Sequence, residues 1–187
     1  MKRALFLKVP LALLTAVILF ACKPNDDEGG PQEDIYAGCC SGPLEYEVGA
    51  ARVFVPNLFT ANADGRNDRF APLVNGNTRR IDNFQIRNRD GELLYEAATL
   101  DLNVHSSSWD GRSPGGELYS GRFTFSMDVV DENGVSARIE GAACLVLCDT
   151  PVIINNLEDC FFSLQHDGEG GVDGNLPAEE DESSCFE

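Results

Sequence analysis

The chain has 187 residues, with 31 acidic against 14 basic side chains and a formal net charge of −17. A surface this acidic repels phosphate backbones and argues against nucleic acid as a partner. The length fits one domain of ordinary size with appendages.

The first segment reads as an export signal. Lys2, Arg3 and Lys8 precede an apolar stretch from Val9 to Ala21, which ends Leu19-Phe20-Ala21-Cys22. A spanning helix needs about 20 apolar residues. A shorter run with a basic flank and a small residue before the cut is a signal peptide. The cysteine at the cut points to a bacterial lipoprotein: residues 1–21 are removed and Cys22 becomes a lipidated N-terminus. Ordinary secretory cleavage after Ala21 is the rival, and Phe20 is unusual for a lipobox. Two or more acyl chains anchor a protein stably where one does so only marginally. The expected site is therefore the outer membrane, lipid-anchored and facing the cell surface, with the lipid membrane as a partner through Cys22.

Residues 22–50 read as a flexible acidic tether, because Asp26, Asp27, Glu28, Gly29, Gly30 and Pro31 offer little to bury. Residues 51–141 read as all-β. Val53 and Val55 alternate with polar or outward positions, as do Phe84 and Ile86. Phe123, Phe125, Met127 and Val129 alternate with Thr124, Ser126 and Asp128, and Val135, Ala137 and Ile139 with Ser136, Arg138 and Glu140. A period of two means one buried and one wet face. Asp90-Gly91 and Asn133-Gly134 sit between such runs as hairpin turns. The expectation is a small antiparallel β-sandwich. Residues 142–187 form an acidic, cysteine-containing extension. Leu145 to Ile154 could add a strand or two, and the stretch beyond Cys160 reads as loop or disorder.

Of seven cysteines, six remain after Cys22: Cys39, Cys40, Cys144, Cys148, Cys160 and Cys185. An even set in an exported chain reads as disulfides, although six cysteines permit many pairings. The pairing expected here joins Cys39 and Cys40 to Cys144 and Cys148, and Cys160 to Cys185. The competing reading is a zinc or cluster site on Cys144-x3-Cys148 with Cys160 or His166, at a loose spacing and in an oxidising compartment.

The run Phe54-Val55-Pro56-Asn57-Leu58-Phe59-Thr60-Ala61-Asn62-Ala63-Asp64-Gly65-Arg66-Asn67-Asp68-Arg69-Phe70 resembles the opening signature of the gliding-motility-associated C-terminal domain family. Phe84 to Tyr95, Trp109-Asp110-Gly111 and Gly121-Arg122-Phe123-Thr124-Phe125 resemble later elements of that family in order. The resemblance covers about residues 53–141 and implies an immunoglobulin-like sandwich on an exported protein, in some members a C-terminal address for type IX secretion. Ala61 and Ala63 depart from the family's proline and glycine. The family domain normally ends its chain, whereas this chain runs on past Gly141 to Glu187.

The loop at Asn62, Asp64, Asn67 and Asp68 is rich in oxygen. It suits either a calcium site or a turn in which Asn and Asp bond the backbone. The EF-hand template fails, since Thr60 and Ala71 would occupy its first and last ligand positions. Trp109 is either core or a sugar-stacking surface residue. Gly111-Arg112-Ser113-Pro114-Gly115 matches a nucleophile elbow in letters, but Pro114, Gly115 and Gly116 oppose the helix an elbow needs. His105 and His166 are the only imidazoles, and neither has a catalytic setting. The sequence therefore points to a non-enzymatic display module with no cofactor unless calcium binds. Its alternatives are a type IX sorting module or an accessory glycan binder, and its candidate partners are surface proteins or glycans.

Overall fold

The computed structural model describes residues 34–104, 107–177 and 182–187. Cys22, the signal segment, the start of the tether and His105 lie outside them. Eight strands are formed: β1 (Leu44–Val48), β2 (Ala51–Val55), β3 (Leu58–Thr60), β4 (Leu73–Val74), β5 (Thr78–Arg87), β6 (Leu93–Leu100), β7 (Gly121–Asp131) and β8 (Ser136–Val146). They make a three-stranded sheet, β1-β2-β4, and a five-stranded sheet, β3-β8-β7-β5-β6. All neighbours are antiparallel except β3, which runs parallel to β8. This is the expected all-β sandwich.

The alternating strands fill its centre. Val53 and Val55 of β2 meet Ile81, Phe84 and Ile86 of β5, and Phe123, Phe125, Met127 and Val129 of β7. Ile81 and Phe84 are three apart, so strict alternation would turn one of them outward. Asn83 takes a positive φ of 53° where the β5–β7 register shifts, and this bulge lets both residues face inward. The Asn133-Gly134 turn forms as expected, but the alternation of β8 begins later than the sequence suggests. Val135 and Ala137 are exposed, and Ile139 is the first of the three expected residues to be buried.

The tether is shorter than expected. Leu44 to Val48 pair rung by rung with Val55 to Ala51, so β1 belongs to the sandwich. Glu45 and Glu47 sit on its wetter face and mask the apolar Leu44, Tyr46 and Val48 in the sequence. The segment before β1 is also fixed. Arg122 N–H donates to the Ile35 carbonyl (2.9 Å), and this backbone approach runs over Gly121, where a Cβ would crowd Ile35.

The region beyond β8 is irregular but packed, which corrects the expectation of a loose tail. Short 3-10 turns at Leu157–Asp159, Ser163–Gln165 and Ser183–Cys185 join a second buried cluster. Leu58, Cys144, Val146, Ile154, Phe162 and the disulfides make up this cluster. Successive residues of β8 thus face different cores: Ala143 and Leu145 the sandwich, Cys144 and Val146 the tail. Phe59 and Leu58 divide the same way on β3. A strand buried on both faces reads as a continuous apolar run, as Ala142 to Val146 does. On the other sheet Phe54, outside the sandwich core cluster, is 0% exposed, with the His166 ring of the tail stacked alongside it at 6.3 Å. The tail backbone presses so close here that a Cβ on Gly170 would strike the Arg52 carbonyl. The tail is therefore a third layer.

Three disulfides fasten that layer: Cys39–Cys144, Cys40–Cys160 and Cys148–Cys185. The first agrees with the expected grouping. The other two correct it: Cys40 does not reach Cys148, and Cys160 does not pair with Cys185. Proximity is the reason: the Cα atoms of Cys40 and Cys160 lie 4.5 Å apart and those of Cys148 and Cys185 4.4 Å, within bridging distance. Cys40 and Cys148 both adopt positive φ, 55° and 58°. No cysteine of the proposed zinc set keeps a thiolate in this arrangement, which removes the ligands that site requires.

Candidate functional site

The signature residues converge on one end of the sandwich. Asn57, in the tight link between β2 and β3, is a hub. Its Nδ2 donates to the carbonyls of Gly42 and Asp159 (2.8 Å each), and its Oδ1 accepts from Phe161 N–H (2.7 Å). Its own backbone bonds Phe161 and Cys144 at 3.0 Å. One buried side chain thus joins the N-terminal segment, β8 and the tail.

After β3 the chain makes the oxygen-rich loop. Asp68 accepts from Ala63 N–H (2.7 Å) and Gly65 N–H (2.6 Å), one with each oxygen. Asp64 accepts from Arg66 N–H (2.8 Å), and Asn62 Oδ1 from Asp64 N–H (3.2 Å). Asn67 Oδ1 accepts from the Ser163 hydroxyl (3.0 Å). The side-chain oxygens of Asn62, Asp64, Asn67 and Asp68 are thus drawn into bonds that shape the loop, the arrangement of the turn reading. Ala63 and Asn67 both have positive φ, 62° and 46°, held by those bonds.

The loop closes on the Trp-Asp-Gly segment. Phe70 and Trp109 exchange backbone hydrogen bonds of 2.8 and 3.0 Å. Trp109 is 1% exposed, surrounded by Phe59, Phe123 and Tyr119, and its indole N–H donates to the Arg112 carbonyl (2.7 Å). A face buried on both sides cannot stack on a sugar, so of the two readings of Trp109 the core one holds and the possible glycan contact is corrected. Ser113 lies in a turn, with its N–H on the Glu117 carbonyl (2.8 Å) and its carbonyl accepting from Gly116 N–H (2.9 Å). No nucleophile elbow is built there.

A cleft of about 400 Å³ opens beside this junction, lined by Ala61, Ala63, Asp68, Arg69, Asp110 and Arg112 among others. Its charges are engaged within the chain. Arg69 donates to the hydroxyl (3.1 Å) and carbonyl (2.7 Å) of Ser108, and Arg112 donates to the Gly116 carbonyl (2.9 Å) and lies 3.9 Å from Asp110. The lining carries neither a histidine nor a thiol. The cleft is small and mixed in charge.

Sequence reasoning missed Glu182. It is 1% exposed and accepts from the side-chain amides of Asn62 (3.1 Å) and Asn67 (3.2 Å), so the tail reaches back into the signature loop. Burial pushes its carboxyl above the usual range. Asn67 opposes that push, while Asp64 and Asp68 add to it. The buried Thr60 hydroxyl lies close enough to favour the Glu182 anion, yet meets no partner at hydrogen-bond geometry. In the sequence Glu182 is one acid in an acidic run, and only its spacing of three from Cys185 could have marked it.

His166 is the other tail residue with a distinct role. Its Nε2 accepts from Gly170 N–H (3.0 Å), and its ring lies on Phe54. Burial lowers its pKa below the ordinary histidine value, against the opposing pull of Asp167 and Glu169.

Two sheets, a third layer and three disulfides define a disulfide-fastened β-sandwich protein. Residues 53–141 match the family model of the CHU_C type IX secretion signal domain. The match ties the chain to type IX secretion. No curated protein matches the chain. Among the described residues, no helix is long and apolar enough to cross a membrane.

Proposed function

We propose that this chain is a lipid-anchored protein of the cell surface that displays a non-catalytic β-sandwich for adhesion, surface-machinery assembly or scaffolding. One observation carries the reading: the family domain is not a free terminal tag but the middle of a covalently closed unit. Cys39 and Cys40 bind it on the side of the expected anchor, and the tail beyond Gly141 is sewn back over it. An address read by an export apparatus needs an accessible surface. Here Phe54 and Leu58 are buried, and the tail's Glu182 ties down Asn62 and Asn67 of the signature loop, while Ala63 to Arg66 stay exposed. The mixed-charge cleft beside Trp109, whose Arg69 and Arg112 are engaged within the chain, supports binding over catalysis.

Protease shaving of intact cells, with mass analysis of the N-terminal peptide, tests the proposal. The expected result is release of sandwich peptides from whole cells and a diacylglyceryl-modified Cys22. An unmodified N-terminus at Cys22, or protection of the sandwich in intact cells, would overturn it. The family match itself favours a second reading, a sorting module. A reporter fused to residues 34–187 behind a cleavable signal and lacking Cys22 separates the two. Delivery of that reporter to the surface would favour sorting over display.

A further inference from the structure

The disulfides lie along the chain in an order that has a mechanical meaning. A pull arriving from the N-terminal side would, without them, act first on β1. That strand meets β2 in a hairpin whose outermost rung is Leu44↔Val55. Tension there would open rungs singly, from Leu44↔Val55 down to Val48↔Ala51 at the turn. Cys39 and Cys40 come before β1, so the pull reaches them first.

Cys39 hands it to Cys144, which is paired with Arg122 of β7 on one side and Leu58 of β3 on the other. This is an interior strand of the larger sheet. A few residues on, Cys148 carries the path across to Cys185. A continuous route therefore runs Cys39, Cys144, Cys148, Cys185, made only of backbone and disulfide bonds. Cys40–Cys160 supplies a second route from the same point of entry into the tail. Either link keeps β1 to β7 out of the line of tension.

We infer that the disulfide set gives this protein a second function, as a tension-resistant link in which force passing along the chain is carried by covalent bonds while the sandwich stays folded beside the path. The inference rests on the proposed surface anchoring only for the origin of the pull. Disulfides persist in the oxidising compartments such a chain occupies. Forced unfolding of a domain is set by its unfolding rate. Of the strands only the end of β8, from Cys144 to Val146, lies on the path, so β1 to β7 are not drawn out along it.

The test is single-molecule stretching of the chain from Cys22 onward, with handles joined before Cys22 and after Glu187. The Cys39–Cys144 link spans a sequence separation of 105, which would add about 350 Å of contour if released. The oxidised chain should show no such step. Replacing Cys39, Cys40, Cys144 and Cys160 together by Ser should restore extension of at least that size. In Cys148→Ser with Cys185→Ser, the gain should be limited to about 90 Å, the chain beyond Cys160. A step near 350 Å in the oxidised chain, with alkylation finding no free thiol other than Cys22, would overturn the inference whether or not the four-serine variant folds. A step near 350 Å in the Cys148/Cys185 variant would also overturn it. The purified chain needs no lipid, so the result is independent of whether Cys22 is acylated in cells.

Discussion

His166 shows how one residue can couple the tail to its surroundings. Its Nε2 is an acceptor for Gly170 N–H, so the bond requires the neutral imidazole. Protonation would remove that acceptor and place a charge against the Phe54 ring, beside Arg52 of β2, although Asp167 and Glu169 would favour the cation. The Glu45 carboxylate, which accepts from Val172 N–H at 3.0 Å, faces the same tail turn from β1. The direction of the shift decides the outcome. The folded pKa lies below the unfolded value of about 6.5, so the unfolded chain binds the proton more readily. This contribution to stability is full above about pH 6.5 and is lost as pH falls toward the folded pKa. Melting temperature should therefore decline between about pH 7 and 5 more steeply in the native chain than in His166→Gln. Equal slopes in the two proteins would remove this role for His166.

Among the elements, β2, like β3 and β8, serves both the inner and the outer layer. Val53 and Val55 pack into the sandwich, while Phe54 between them is covered by the tail. Phe54→Ala should cost about 3–5 kcal/mol in urea unfolding, the usual price of emptying a buried aromatic site. A cost below about 1 kcal/mol would mean the tail does not pack there. The same strand shows what the sequence could disclose. The period of two in β7 was plain because one face is wet, and Phe84 and Ile86 carried β5 as far as the bulge. The signature run and Trp109-Asp110-Gly111 located the junction that Phe70 and Trp109 make. Phe54 carried no sign of its fate, because His166, stacked alongside it, lies more than a hundred residues away in the chain. β1 was hidden by Glu45 and Glu47 in a strand of five residues. The disulfide pairing was illegible for a similar reason: it depends on which cysteines the assembled layers bring within bridging distance. Glu182 escaped notice because its two amide partners lie in a loop at the far side of the sequence.

For the whole molecule, the matched stretch 53–141 is smaller than the folding unit. A fragment with those bounds loses β1, the end of β8 with Cys144 and Val146, and the cover over Leu58 and Phe54. It should bind an apolar dye and aggregate, whereas residues 34–187 under oxidising conditions should give a single cooperative melt. A soluble, cooperatively melting 53–141 fragment would show that the third layer is dispensable. The position of Cys185 also sets a timetable. A chain threaded outward from its N-terminus delivers Cys39 and Cys40 first, and they must wait for partners at Cys144 and Cys160. Glu182 and Cys185 arrive later still, and until they cross, the signature loop has no acid to hold and Cys148 no sulfur to join. Disulfide formation takes seconds to hours, far slower than the closing of a hairpin. For a chain threaded N-terminus first, the links to Cys144 and Cys160 can close earlier, but the third waits for Cys185, two residues from Glu187, so the disulfide set is completed only at the very end of the passage.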